Sequence, residues 1–364
     1  MAGRPELIAL LRAEIERDGP IPFRRFMEAA LYHPEHGYYR RAGGPEIGRR
    51  GDFYTNVSVG ALFGRALALQ FAEMWERLGR PAEIVLIEQG AHHGQFLRDV
   101  LEAARAENPA FFAALRVAVR EPAPALRERQ RETLAPFADK ASWFEDGASF
   151  PAALFFSNEL PDAFPVDRIV WDGAGWRESR VGWRDGAFAW KDGPPYAAPE
   201  LPTDLPSCYA TEVSPRAREW IAGVAGLFDT GYVVTVDYGY PAPLYYAPER
   251  SAGTLLAYRD HRSTSEVLDH AGEQDLTAHV DFTALARAGE AAGLETLGFA
   301  DQHHYFVGLI EAFPALALGD ERSRRALRTL LHPELMGTTF RYLVHGKNAP
   351  GGPLSGLKYR QALQ

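Results

Sequence analysis

The sequence predicts an α/β fold of the doubly wound kind, and three observations carry the prediction. From residue 83 onward, short apolar runs alternate with amphipathic stretches of helical period. A turn bounded by Gly90 and Gly94 joins the first such run to the first such helix. Acidic residues, Glu88, Glu121 and Glu159, follow three of the runs. Strand–helix–strand alternation implies parallel pairing with right-handed crossovers, and ligands on such sheets sit beyond the carboxyl ends of the strands.

Ahead of that alternation, Leu7, Ile8, Leu10, Leu11 and Ile15 share one helical stripe, and Phe23, Phe26, Met27 and Ala30 a second. Residues 1–80 are therefore expected to hold an N-terminal helical lid, a long Tyr- and Gly-rich loop from Tyr32 to Asn56, and a helix from Ala61 to Leu78. Residues 81–165 form the first part of the core: strand Glu83–Ile87, helix Gly94–Glu107, strand Arg116–Val119, helix Pro124–Thr133 and strand Leu154–Ser157. Over residues 166–214, Val-, Trp- and Phe-rich runs are broken by Asp172-Gly173, Asp185-Gly186 and Asp192-Gly193, all hairpin signals. That segment reads as an inserted antiparallel β meander capping the substrate side, with Pro194–Pro206 as a linker. Residues 215–364 resume the core with helix Pro215–Ala225, strand Tyr232–Asp237, helix Phe282–Ala292, and strands near Glu295–Phe299 and Tyr305–Leu309. The expected whole is a Rossmann-like core with a helical N-terminal region and an inserted β cap.

Composition narrows the function classes. With 39 Lys+Arg against 48 Asp+Glu, the net charge of −9 repels polyphosphate, and no basic run offsets it. Arg322, Arg324, Arg325 and Arg328 read as one solvated helix face, so nucleic acid is not the expected partner. Cys208 is the only cysteine, which excludes an intrachain disulfide and a cysteine-based metal site and points to a reducing compartment. No apolar run approaches the roughly 20 residues of a membrane span, and Met1–Glu14 lacks a signal-peptide pattern. The expected location is the cytoplasm, without membrane insertion.

The turn Glu88-Gln89-Gly90-Ala91-His92-His93-Gly94 is the leading binding element. Gly90 and Gly94 permit a sharp turn and close approach of a ligand to the backbone. The helix that follows offers free N–H groups and a positive dipole end, which suit a carboxylate; Glu88 can accept from an ammonium. A dinucleotide fingerprint wants glycine at the first, third and sixth loop positions, and counting from Gly90 the latter two are His92 and Gln95. A pyrophosphate is therefore disfavoured. S-adenosyl-L-methionine, with an amino-acid end and no pyrophosphate, fits, and Glu121 stands where an acid holds ribose hydroxyls. Taken singly, Glu88 and Glu121 also read as exposed strand-end acids.

The chain resembles the MidA-like methyltransferases, relatives of a mitochondrial complex I assembly factor that methylates arginine. The resemblance rests on Gly51-Asp52-Phe53-Tyr54-Thr55 with Phe63-Gly64, Glu88-x-Gly90, and Asn158-Glu159-x-x-Asp162-x-x-Pro165-Val166. It continues through Asp237-Tyr238-Gly239, Gly253-Thr254-Leu255 and Asp275-Leu276-Thr277-Ala278-His279-Val280-Asp281-Phe282. Two departures stand out. The family loop usually reads Gly-Pro-Gly-Arg-Gly where this chain has Gly90-Ala91-His92-His93-Gly94, and its Pro-Glu is Asn56-Val57 here. The resemblance implies a class I methyltransferase fold, S-adenosyl-L-methionine as cofactor, and a protein substrate, arginine by way of the eukaryotic relative, with a respiratory complex subunit as its implied source.

In that topology Asn158, Glu159 and Asp162 are expected beside the transferable methyl group. Methyl transfer is a displacement, so alignment of nucleophile, carbon and sulfur is the main task. A guanidinium stays protonated and offers no free lone pair; carboxylates at Glu159 and Asp162 can hold its fork and take the departing proton. Asp162 also reads as an acid capping a helix. Base-modifying relatives carry Asn-Pro-Pro-Tyr here, whose ring stacks on a flipped base, and this chain lacks an aromatic in those positions. Thr55 and Asp52 are placed to close over the cofactor, and Tyr238 to line the substrate side. His261, His279 and Asp281 read as a structural polar network. His92-His93 and His303-His304 carry no acidic pair at ligand spacing, so no metal is expected. Two rivals stay open: methylation of another protein site or a small molecule, and a cofactor-binding assembly factor without catalysis.

Overall fold

In the computed structural model, the described residues are 3–40, 56–198, 200–259 and 262–363. The chain divides into two compact units, one of Met1–Tyr54, Pro161–Arg218 and Ala242–Val280, the other of Thr55–Leu160, Glu219–Pro241 and Asp281–Gln364.

The second unit is built on a sheet of β1 (Ile84–Gln89), β2 (Leu115–Arg120), β3 (Ala141–Trp143), β4 (Phe150–Asn158), β5 (Phe228–Tyr240), β6 (Glu295–Asp301) and β7 (Phe340–Lys347). Its spatial order is β3-β2-β1-β4-β5-β7-β6. The first five strands pair in parallel, and β7 runs antiparallel to both β5 and β6. Chain order reverses between β1 and β4, where Glu88 lies opposite Phe156. A crevice opens at such a reversal because the two adjoining connections leave toward opposite faces. This is the doubly wound Rossmann-like core the alternation predicts.

The strands form because their apolar runs are buried: Ile84, Leu86, Ile87, Val117, Ala118, Val119 and Ala153 through Phe156 are all inaccessible to solvent. On the helix Ala61–Arg77, Phe63, Leu67, Phe71 and Met74 turn inward at helical spacing. Gly64 on that helix is required by packing. A Cβ there would stand 2.5 Å from the Asp99 Cβ on the helix Gln95–Glu107.

One sequence expectation fails in this unit, and one strand lies outside the elements expected. Tyr305–Leu309 lies in the helix Gln302–Ala312, not in a strand. Asp301 caps that helix by accepting from the His304 N–H at 2.8 Å, and Tyr305, Phe306 and Leu309 bury one face of it. A short apolar run cannot be assigned by period alone. The true last strand, β7, was not anticipated.

The other unit joins the helices Pro5–Asp18 and Phe23–Tyr32 to an antiparallel five-stranded sheet. The first helix buries Leu7, Leu11 and Ile15 and ends at Gly19, whose φ of 83° leaves the helical region. The meander turns at Asp172 and at Asp185-Gly186, joining Asp167–Trp171, Trp176–Arg184 and Ala187–Pro195. Asp192-Gly193 makes no hairpin. It lies within the last of these strands, where the register against Arg177 and Ser179 shifts, and an isolated glycine in a strand marks such irregularities. No helix among the described residues is long and apolar enough to cross a membrane.

Candidate functional site

Glu88 is the penultimate residue of β1 and only 3% exposed. Its Oε2 has no hydrogen-bond partner, and burial pushes its carboxyl up to about 8. The next residue, Gln89, is held by the Trp220 indole N–H at 3.0 Å. The chain then turns through three left-handed residues: Gly90 at φ 82°, His92 at 43° and Gly94 at 79°. The Gly94 N–H donates to the Ala91 carbonyl at 2.7 Å, and the 13-residue helix Gln95–Glu107 begins immediately. A buried carboxyl oxygen without a partner, followed by a glycine turn and a helix start that no side chain caps, suits an ammonium and a carboxylate together. An α-amino acid end group carries both.

Glu121, one residue beyond β2, is 7% exposed. Its Oε1 accepts the Ala123 N–H at 2.8 Å and its Oε2 the Gln130 amide at 3.3 Å. The same amide nitrogen donates to the His92 carbonyl at 2.9 Å, and the Gln130 oxygen accepts from the Trp143 indole at 2.8 Å. Gln130 and Trp143 were missed in the sequence. The available signal was a polar residue at an inward position, since on the helix Pro124–Leu134 only Gln130 and Leu134 are buried.

The third strand end is that of β4. Asn158 closes the strand opposite Val236, and the Glu159 N–H donates to the Val236 carbonyl at 2.9 Å. Glu159 itself has φ 52°, a left-handed conformation that is costly for a residue with a Cβ. Asn158 donates its amide to Glu159 Oε1 at 2.8 Å; the Asn56 side-chain amide donates to Asn158 Oδ1 at 3.1 Å, and the Asn56 backbone N–H to Glu159 Oε1 at 3.4 Å. The Tyr238 hydroxyl donates to Glu159 Oε2 at 3.5 Å. Asn56, fully buried, entered the sequence reading only as a departure from the family pattern. Asp237 is also fully buried and accepts the Tyr238 N–H at 2.7 Å.

Asp162 belongs to the other unit, on the short turn Pro161–Ala163 and not at the start of an α-helix. It is 6% exposed, and burial raises its carboxyl to about 7. Its charge is felt by Tyr32 and Tyr39 of the same unit, where the Tyr39 hydroxyl donates to Asp275 at 2.8 Å. Thr55, Asp52 and His261 lie outside the described residues. Asp281 caps the helix Phe282–Ala291. His303 and His304 are helical, not extended, and His304 Nδ1 lies 2.7 Å from Asp301. Among the described residues no three His, Cys, Asp or Glu side chains group to hold a metal ion.

Comparison with known proteins decides the family. Residues 66–300, well over half of the chain, match the family described as "Putative S-adenosyl-L-methionine-dependent methyltransferase". The chain belongs to this family. It is an S-adenosyl-L-methionine-dependent methyltransferase, and the orphaned Glu88 oxygen with the glycine turn fits the amino-acid end of that cofactor. A superfamily relative from Burkholderia thailandensis, solved with S-adenosyl-homocysteine bound, is similar over 98% of this chain and 95% of its own, at 30% identity and a TM-score of 0.87. Among curated relatives, the Drosophila melanogaster "Protein arginine methyltransferase NDUFAF7 homolog, mitochondrial" is 25% identical over 94% of this chain and 85% of its own length. The human protein arginine methyltransferase NDUFAF7, mitochondrial, is 24% identical over 92% and 82%. These relatives overturn the cytoplasmic expectation, since both are named as mitochondrial. A reducing environment inferred from one cysteine does not distinguish the cytosol from the interior of an organelle.

Proposed function

We propose that this methyltransferase acts on the side chain of a protein arginine, that Glu88, Gly90, Gly94 and Glu121 hold the cofactor, and that Glu159 with Asn158 receives the substrate. The observation carrying the proposal is Glu159 itself. It is a carboxylate fixed in a strained backbone at the strand reversal, oriented from Asn158, Asn56 and Tyr238. When bound, the cofactor supplies an electrophilic methyl group. A carboxylate oriented in advance holds a guanidinium by charge-assisted hydrogen bonds and aims one nitrogen. It is also an acceptor for the proton that nitrogen must lose. Both curated relatives described above are named protein arginine methyltransferases, which supports arginine as the target.

A subunit of a respiratory complex is the first protein to offer as substrate, alongside peptides differing only in an Arg-to-Lys exchange. Mass spectrometry after incubation with the cofactor is expected to place the added methyl group on arginine. Methyl groups confined to lysine, to carboxylates or to a small molecule would overturn the arginine reading.

A further inference from the structure

We infer that Gln130 is a positioning residue that locks the cofactor turn to the acid at the neighbouring strand end. The inference rests on the reading that Glu88–Gly94 and Glu121 hold the cofactor. Gln130 is fully buried on the helix Pro124–Leu134. One amide nitrogen bridges two separate pieces of chain, the His92 carbonyl at 2.9 Å and Glu121 Oε2 at 3.3 Å. Its oxygen is taken by the Trp143 indole N–H at 2.8 Å, which fixes the amide in the orientation that presents the nitrogen to both acceptors.

The contact extends to the turn's last glycine. A Cβ at Gly94 would meet the Gln130 backbone and side chain at 3.6–3.7 Å, so Gln130 already lies against it. His92 is the left-handed residue midway through the turn, and a hydrogen bond on its carbonyl holds that peptide plane. Glu121 receives a second donor from the Ala123 N–H. Gln130 thus ties the segment proposed to grip the amino-acid end to the acid proposed to grip the ribose. Few other side chains can do this. Glutamate has no donor and brings a second carboxylate against Glu121; leucine fills the volume and makes none of the bonds.

The test is calorimetric titration of the full chain with S-adenosylhomocysteine, the product of the reaction, so that no methyl acceptor is needed. Gln130→Leu is expected to weaken binding roughly tenfold, the scale of lost hydrogen bonds to charged and buried acceptors. In a Glu121→Ala background the same replacement is expected to cost roughly threefold or less, because the coupled partner is already gone. In turnover with an arginine peptide as acceptor, KM for S-adenosyl-L-methionine should rise while kcat changes little. If Gln130→Leu does not fold, Gln130→Glu carries the measurement, with the same loss expected. Wild-type affinity in the folded variants would overturn the coupling, and so would an equal loss in both backgrounds, the mark of a purely structural effect. Wild-type affinity in Glu121→Ala alone would overturn the underlying site reading, an outcome distinct from either.

Discussion

Two carboxylates at neighbouring strand ends of the core sheet are held in opposite ways. Glu88 sits on regular β1 backbone with one oxygen buried and unpartnered. Glu159 follows β4 in a left-handed conformation and is bonded from Asn158, Asn56 and Tyr238. The first is a carboxyl that burial keeps mostly neutral until a cation arrives to offset the cost of its charge. The second is oriented before anything arrives, the condition for aligning a reacting group. Identical side chains on adjacent strands therefore suit binding in one case and positioning in the other.

The largest expected effect tests the first half of that contrast. In the ligand-free chain the Glu88 carboxyl is raised to about 8, so near neutral pH it is mostly protonated. Facing an ammonium it ionises, and binding expels a proton. Affinity for S-adenosylhomocysteine should therefore rise from pH 6 to 8, by roughly tenfold per unit at most, and level off above 8. Titrations in two buffers of different ionisation heat should show release approaching one proton near pH 7. In Glu88→Gln the slope should be nearly flat. Equal slopes in the two proteins would remove Glu88 from the linkage and erase the contrast.

Glu159→Gln tests the other half. It keeps size and removes charge, and the loss of a charge-assisted contact costs on the order of 1.5–3 kcal/mol, or roughly ten- to a hundredfold in rate. The fall should appear in kcat for an arginine peptide, while cofactor affinity stays within about twofold of wild type. Undiminished turnover would sink the catalytic assignment. A loss of cofactor affinity without a loss of turnover would place Glu159 with Glu88 on the cofactor side.

These two acids were legible in the sequence because each follows an apolar run, and a strand's end is also where its burial ends. Gly90 and Gly94 were legible because a strand-to-helix turn needs positive φ, which both adopt. Asn56 and Gln130 were not. Neither follows a strand, and their importance comes from partners about 102 and 38 residues away in the chain, Asn158 and His92. The surroundings of Asp162 were not legible either, because Tyr32 and Tyr39, on which it acts, come from the N-terminal region of the chain. The helix Gln302–Ala312 was misread because Tyr-Phe-Val-Gly-Leu-Ile has the composition of a strand, and its Asp301 cap becomes visible only once the helix is known.

The smallest expected effect concerns the backbone on either side of the comparison. His92 and Glu159 are both non-glycine residues at positive φ, 43° and 52°. Glu159 needs its side chain for the proposed role, whereas His92 stands where the resembled family has glycine. Left-handed backbone costs a residue with a Cβ roughly 1–2 kcal/mol, partly offset by the extra unfolded-state entropy of glycine. His92→Gly should therefore gain roughly 0.5–1 kcal/mol, a rise in melting temperature of about 1–3 °C. His92→Ala is the control. It removes the same imidazole and its contact with His93, 3.7 Å between ring centroids, while keeping the Cβ and hence the strain. The His92 carbonyl that accepts from Gln130 survives in both, so cofactor affinity should change little. Thermal melts of the three proteins should rank Gly above wild type and wild type at or above Ala. If the glycine variant melts below the alanine one, backbone strain does not govern this turn.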